Sequence, residues 1–193
     1  MSANLAEARS LALQKIGRNV VNFQRMEALL KDVIALGRIQ APAGKLEEAL
    51  KERAIAVSTM TMGQLVRDAV GTLYANTDSR QSDATAATEV SVSVSMTLEG
   101  GSEDVDAWKE CLASVVNARN HLIHQMLAAF DHNSIESCQA LCVTLDEQRA
   151  AFSPVHEDLI RLVRGLREAY GDLARTLSVA LDQVPVDGAS GGN

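Results

Sequence analysis

The sequence predicts an all-α fold, a helical bundle carrying a small β-strand or hairpin insertion. Three observations lead there. Hydrophobic residues make up 47% of the 193 positions and aromatics only 3%, so Leu, Val, Ala, Ile and Met must fill the core, a set suited to helix-on-helix packing. Apolar residues recur with helical period over most of the chain. Strict alternation occurs in one place, where Val90, Val92, Val94, Met96 and Leu98 are separated by Ser91, Ser93, Ser95 and Thr97. A chain of this length supports one core. A single helical domain is expected over residues 1–183 with the β insertion near 88–99. The tail over 184–193, with Gly188, Gly191 and Gly192, is expected to be disordered.

Each element has its own signal. A first helix is expected over about 4–38 from the spacing of Leu5, Leu11, Ile16, Val20, Phe23, Leu30, Val33 and Ile34, with Pro42 and Gly44 interrupting the pattern. A second covers about 45–57 and exposes Glu47, Glu48, Lys51 and Glu52. Thr61-Met62-Gly63-Gln64 has the form of a capping box, so a third helix starts there and runs to about residue 74. Residues 76–88 are rich in Asp, Ser, Thr and Ala without apolar period, the composition of a surface loop.

The alternating strand then lacks an equally clear partner, and a lone strand cannot satisfy its own backbone groups. It is expected either to bend into a hairpin with a weak partner just upstream or to pair across a two-fold axis. Gly100-Gly101 ends it, and Ser102 with Glu103 and Asp104 caps a helix reaching about residue 131. Asn133 and Glu136 open another helix to about 152. Pro154 marks a break or kink, after which helix resumes to about 182.

The net charge of −7 sets the field of the whole molecule against nucleic acid and anionic membranes. Any RNA binding must therefore be local, and no DNA partner is expected. No apolar stretch approaches bilayer length, and no basic region followed by a compact apolar run opens the chain, so a cytoplasmic location without membrane attachment is expected.

Cys111, Cys138 and Cys142 cannot all pair within one chain and read as reduced and mostly buried. Cys138, Cys142 and His132 fall short of the four ligands of a structural zinc site, so no metal and no cofactor is expected. Met60, Met62 and Met126 read as core filling. Arg161, Arg164 and Arg167 form a mild basic face diluted by Glu157, Asp158 and Glu168.

The most informative residues are Arg119-Asn120-His121-Leu122-Ile123-His124. They place a permanent cation, a carboxamide and two imidazoles within two turns of one helix, groups able to neutralise phosphate and to transfer protons at physiological pH. At about 100° per residue, Asn117, Asn120, His121 and His124 share an arc of about 80°. The opposite side carries Leu112, Val115, Val116, Leu122, Ile123, Met126, Leu127 and Phe130, an apolar stripe of packing width. Arg119 lies near the middle of that stripe. An unpaired buried cation is expensive. Arg119 therefore calls for a paired acceptor, with Glu27, Asp68 and Asp146 as candidate carboxylates.

This Arg-Asn-x3-His arrangement in a late helix of a helical domain resembles the HEPN superfamily, whose signature is Arg, four to six residues, then His. Four residues separate Arg119 from His124 here, and Asn120 fills the place where a polar residue commonly follows the family's Arg. The resemblance implies a HEPN-like bundle that forms a homodimer with the two motif helices facing each other. Many relatives are metal-independent endoribonucleases, often toxins or defence effectors.

Carried onto this chain, the resemblance makes Arg119, Asn120 and His124 the catalytic set and gives His121 a weaker, substrate-binding role. RNA is the implied substrate, and a nucleotidyltransferase antitoxin is an implied companion. The competing expectations are a non-catalytic helical dimerisation or ligand-binding module, or a regulatory partner of a nucleotidyltransferase. In the catalytic reading His124 is general base or acid, Arg119 stabilises the transition state and Asn120 orients His124. In an unbroken α-helix Arg119 and His124 would project about 140° apart.

Overall fold

Helix α1 (Leu5–Gly37) begins at Asn4, whose side-chain oxygen accepts from the Ala6 amide at 3.1 Å and so satisfies one of the orphan donors of the first turn. The computed structural model describes residues 4–74, 91–97 and 101–182. The inner face of α1 buries Ala12, Phe23, Met26, Leu30 and Val33, largely against α6 (Ile135–Asp182), which is 48 residues long. The two helices run in the same direction. Arg9 meets His132 and Asn133, Asn19 meets Leu145 and Gln148, the Phe23 and Phe152 rings lie 4.9 Å apart, and Asp32 meets Arg167.

Helices α2 (Leu46–Ser58) and α3 (Met62–Tyr74) also pack on α1, and α4 (Ser102–His121) rests mainly on α3. The result, among the described residues, is an all-α bundle with one two-stranded antiparallel sheet. At its centre Leu65, Leu73, Leu112, Leu122, Leu145 and Leu159 are almost wholly buried, the aliphatic core that the scarcity of aromatics requires. The end of α1 approaches α3 closely. A Cβ placed on Gly37 would lie 2.6 Å from the Thr72 methyl, so this position admits little beyond hydrogen. Among the described residues no helix is long and apolar enough to cross a membrane.

The β excursion corrects the expected pairing. Strand β1 (Arg38–Pro42) directly follows α1 and pairs with β2 (Ser91–Ser95), with Ile39 opposite Val94 and Gln40 opposite Ser93. The partner thus lies in this chain, but beyond α2 and α3 rather than just upstream. Its signal in the sequence is weak because only Ile39 and Ala41 point inward. A short alternation ending in Pro42 is easily read as the frayed end of a helix. Met96 extends the join by donating to the Gly37 carbonyl at 2.9 Å.

Of the break or kink expected at Pro154, the break is overturned, since α6 runs through it. Proline removes one ladder bond, but Phe152, Val155, Leu159 and Val163 are buried on both sides of it and hold the helix together. Caps are legible to within a residue. Thr61 and Gln64 form the predicted box, with the Thr61 amide donating to Gln64 Oε1 at 2.9 Å. At α4 the Asp104 carboxylate receives the Gly101 amide at 3.0 Å, so Gly101 holds the cap position expected of Ser102. At α6 the cap is Ser134, whose hydroxyl accepts from the Ser137 amide at 3.1 Å, in place of Asn133.

Cys138, Cys142 and Met62 are core residues, Met60 and Met126 pack at its edge, and Cys111 is exposed. The expected loop over 76–88 and tail over 184–193 lie outside the described residues.

Candidate functional site

Helix α4 is fixed by Leu112 and Val115, both buried, and by Trp108, which meets Tyr74 edge-on at 5.8 Å. That anchorage decides where its last turn points. Asn117, Asn120 and His121 are exposed, while Arg119 is half-buried. The Arg119 guanidinium donates to the side-chain oxygen of Asn120 at 3.0 Å.

No carboxylate pairs with Arg119 among the described residues. Glu27 is held by Lys31, Asp146 by Lys15 and Arg18, and Asp68 lies beside Arg67. The cation is therefore oriented by a neutral acceptor and keeps its charge. The structure thus joins Arg119 to Asn120. It does not join Asn120 to His124 by a hydrogen bond, as the orienting role predicted, because the carboxamide oxygen is turned toward the guanidinium.

Immediately after the motif's first residues the helix changes character. Residues Leu122–Met126 form a wide π-type turn, closed by the Leu127 amide donating to the Leu122 carbonyl, before a short α5 (Leu127–Ala129). A turn bonded from i to i+5 advances less per residue than an α-helix. The angle between Arg119 and His124 accordingly falls below the about 140° of an unbroken helix. His124 sits inside this turn and is exposed, as is His121 just before it. Leu122 remains fully buried and pins the turn to the core.

Three helices meet behind this segment through a polar network that sequence reading missed. Asn19 of α1 is fully buried, donates to the Leu145 carbonyl at 2.8 Å and to Gln148 Oε1 at 3.0 Å, and accepts from Arg18 Nε at 3.1 Å. Gln148 Nε2 then donates to the Ala118 carbonyl at 2.8 Å, one residue before Arg119. A polar residue in a helical pattern reads as surface by default, and the sole available signal was that Asn19 lies between Ile16, Val20 and Phe23 on the apolar face.

On the other side of the wide turn an open groove of about 290 Å³ is lined by His121, Met126, Phe130, Ser137, Leu141 and Thr144, among others. His121 thus belongs both to the motif and to the groove wall. Cys142, beside Leu141 on α6, is buried, and burial pushes its thiol above the ordinary range.

Comparison of the chain with protein-family models, with curated proteins and with solved structures finds no match. Function is therefore read from these side chains. They are a cation with no carboxylate partner among the described residues, two exposed imidazoles and an apolar recess beside them.

Proposed function

We propose that the chain is a HEPN-type metal-independent endoribonuclease acting as a homodimer, with Arg119, Asn120 and His124 at its centre and His121 on the substrate path. The observation that carries this reading is the Arg119 guanidinium, held by Asn120 with no carboxylate partner among the described residues and followed by the exposed His124 in a wide turn. Such a cation is arranged to receive a phosphate oxygen.

In the chemistry this allows, His124 takes the proton of a ribose 2′-hydroxyl, whose oxygen attacks the adjacent phosphorus. The O2′–P bond forms as the P–O5′ bond breaks, and the leaving oxygen takes a proton from an imidazolium. Across a two-fold axis the second subunit supplies that acid. Arg119 stabilises the charge on the phosphorane-like transition state, an effect of about 2.7–4 kcal/mol by analogy with a lost oxyanion-hole donor. Asn120 serves Arg119 in this scheme, keeping the guanidinium oriented without neutralising it. The toxin or defence role and a nucleotidyltransferase antitoxin belong to the same proposal, through the resemblance.

A second reading, a non-catalytic dimerisation or ligand-binding module, draws support from the apolar groove walled by Met126, Phe130 and Leu141. One experiment separates the two. Purified protein is incubated with total RNA in EDTA beside Arg119→Ala and His124→Ala. Cleavage by the parent alone is the expected result, whereas intact RNA in every lane favours the module.

A further inference from the structure

The Ala118 carbonyl accepts two donors, the Leu122 amide from its own helix and the Gln148 side chain from α6 at 2.8 Å. The Leu122 amide is in turn shared between the Ala118 and Arg119 carbonyls. The wide turn begins at this residue. A side chain that inserts into the helix ladder draws a carbonyl outward and loosens the bond it makes there, and a π-type turn is rare in itself. Gln148 is not free to swing away. Its Oε1 receives Asn19 Nδ2 at 3.0 Å, and the fully buried Asn19 is itself held by Leu145 and Arg18.

We infer that Asn19 and Gln148 form a positioning relay that fixes the wide turn at residues 122–126 and, through it, the direction in which His124 presents its imidazole relative to Arg119. Without the Gln148 donor the Ala118 carbonyl returns to Leu122 alone, and α-type bonding can continue through the segment. Losing the wide turn rotates the segment beyond it by up to about 100°, and His124, inside the turn, is carried part of that way toward the about 140° from Arg119 of an unbroken helix. The part played by His124 rests on the ribonuclease reading; control of the turn does not.

The test uses Gln148→Met, which keeps length and removes both polar atoms, and Gln148→Glu, which keeps an acceptor for Asn19 and removes the donor. In isotope-labelled protein the amide signals of residues 122–127 and the ring signals of His124 are compared with the parent, together with kcat and KM on RNA. In the parent, a scalar coupling across the hydrogen bond from Gln148 Nε2 to the Ala118 carbonyl carbon is sought, which requires no substitution.

The coupling is expected to be present. Folded variants should shift the 122–127 and His124 signals and lose about 100-fold in kcat, the scale of a displaced catalytic group, with KM little changed. An absent coupling, or unmoved signals in either folded variant, overturns the relay. A parent that cuts no RNA while its variants show the shifts supports the relay and sinks the ribonuclease reading.

Discussion

Arg119 and Asn120 are adjacent in sequence, yet the guanidinium of one donates to the side-chain oxygen of the other at 3.0 Å. Neighbouring helix positions do not face each other. The Arg119 side chain must therefore run sideways from the apolar stripe to the polar arc, where Asn120 and His121 are exposed. Asn120 is a neutral acceptor, so it fixes the cation without cancelling it.

Replacing Asn120 by Asp turns that acceptor into a counter-ion. In a His124→Ala background, which prevents cutting, Asn120→Asp is expected to weaken single-stranded RNA binding and lower the salt slope of log K by about 0.7, the contribution of one phosphate contact. Asn120→Ala keeps the charge and should bind nearly as the parent does. Fluorescence anisotropy on labelled RNA at several salt concentrations measures both, and equal slopes for Asn120→Asp and parent would refute the assignment of Arg119 to phosphate.

Asn19 is a second test point, because its side chain is fully buried and bonded on every side. Asn19→Leu keeps the branched shape at a larger volume, leaves Gln148 Oε1 without its Asn19 donor and leaves the Leu145 carbonyl with only Arg18 among its side-chain donors. The expected cost is about 2 kcal/mol, that of stranded polar groups, or a melting temperature lower by about 4–8 °C in a chain of this size. Thermal unfolding followed by circular dichroism measures it, and an unchanged midpoint would mean that water replaces the amide.

The helices are legible where residue type or period forces a choice: Thr61 and Gln64 at the start of α3, and the periodic apolar face of α1. The features that escape reading share a physical cause. Strand β1 has only Ile39 and Ala41 facing inward, too few positions to compete with the helical pattern before it. Pro154 signals a break through local preference, whereas the buried residues around it decide the outcome. The motif residues are visible from their chemistry, but their relative direction is not. Periodicity assumes a constant 100° step, and the wide turn at Leu122–Met126 departs from it through a partner on α6 that no local pattern announces.

Gly37 tests the contact between α1 and α3. A methyl group there meets the Thr72 Cγ2 at 2.6 Å, so Gly37→Ala is expected to destabilise by about 1–3 kcal/mol, the usual cost of overpacking. Thr72→Ser removes the opposing methyl. The double variant should recover much of the loss in urea unfolding, and additive losses would show that the strain lies in the backbone of Gly37 instead.

Asp146 supplies the pH test. Hydrogen bonds from Lys15 and then Arg18 hold its carboxyl below the ordinary 3.8. An unfolded chain lacks both partners and titrates near the ordinary value. Above 3.8 both states are ionised and the stabilisation is complete. As pH falls below it the unfolded state takes up the proton first, and the contribution drains away until it is gone below the folded value. The parent should therefore exceed Asp146→Asn in stability at neutral pH, with the gap closing in acid and also narrowing in high salt, because the carboxylate is half exposed. Urea midpoints for both proteins across the acid range decide the matter. A gap that stays constant with pH would mean that Lys15 and Arg18 act on Asp146 as neutral hydrogen-bond donors do, and that the charge at this junction of α1 and α6 is incidental to the fold.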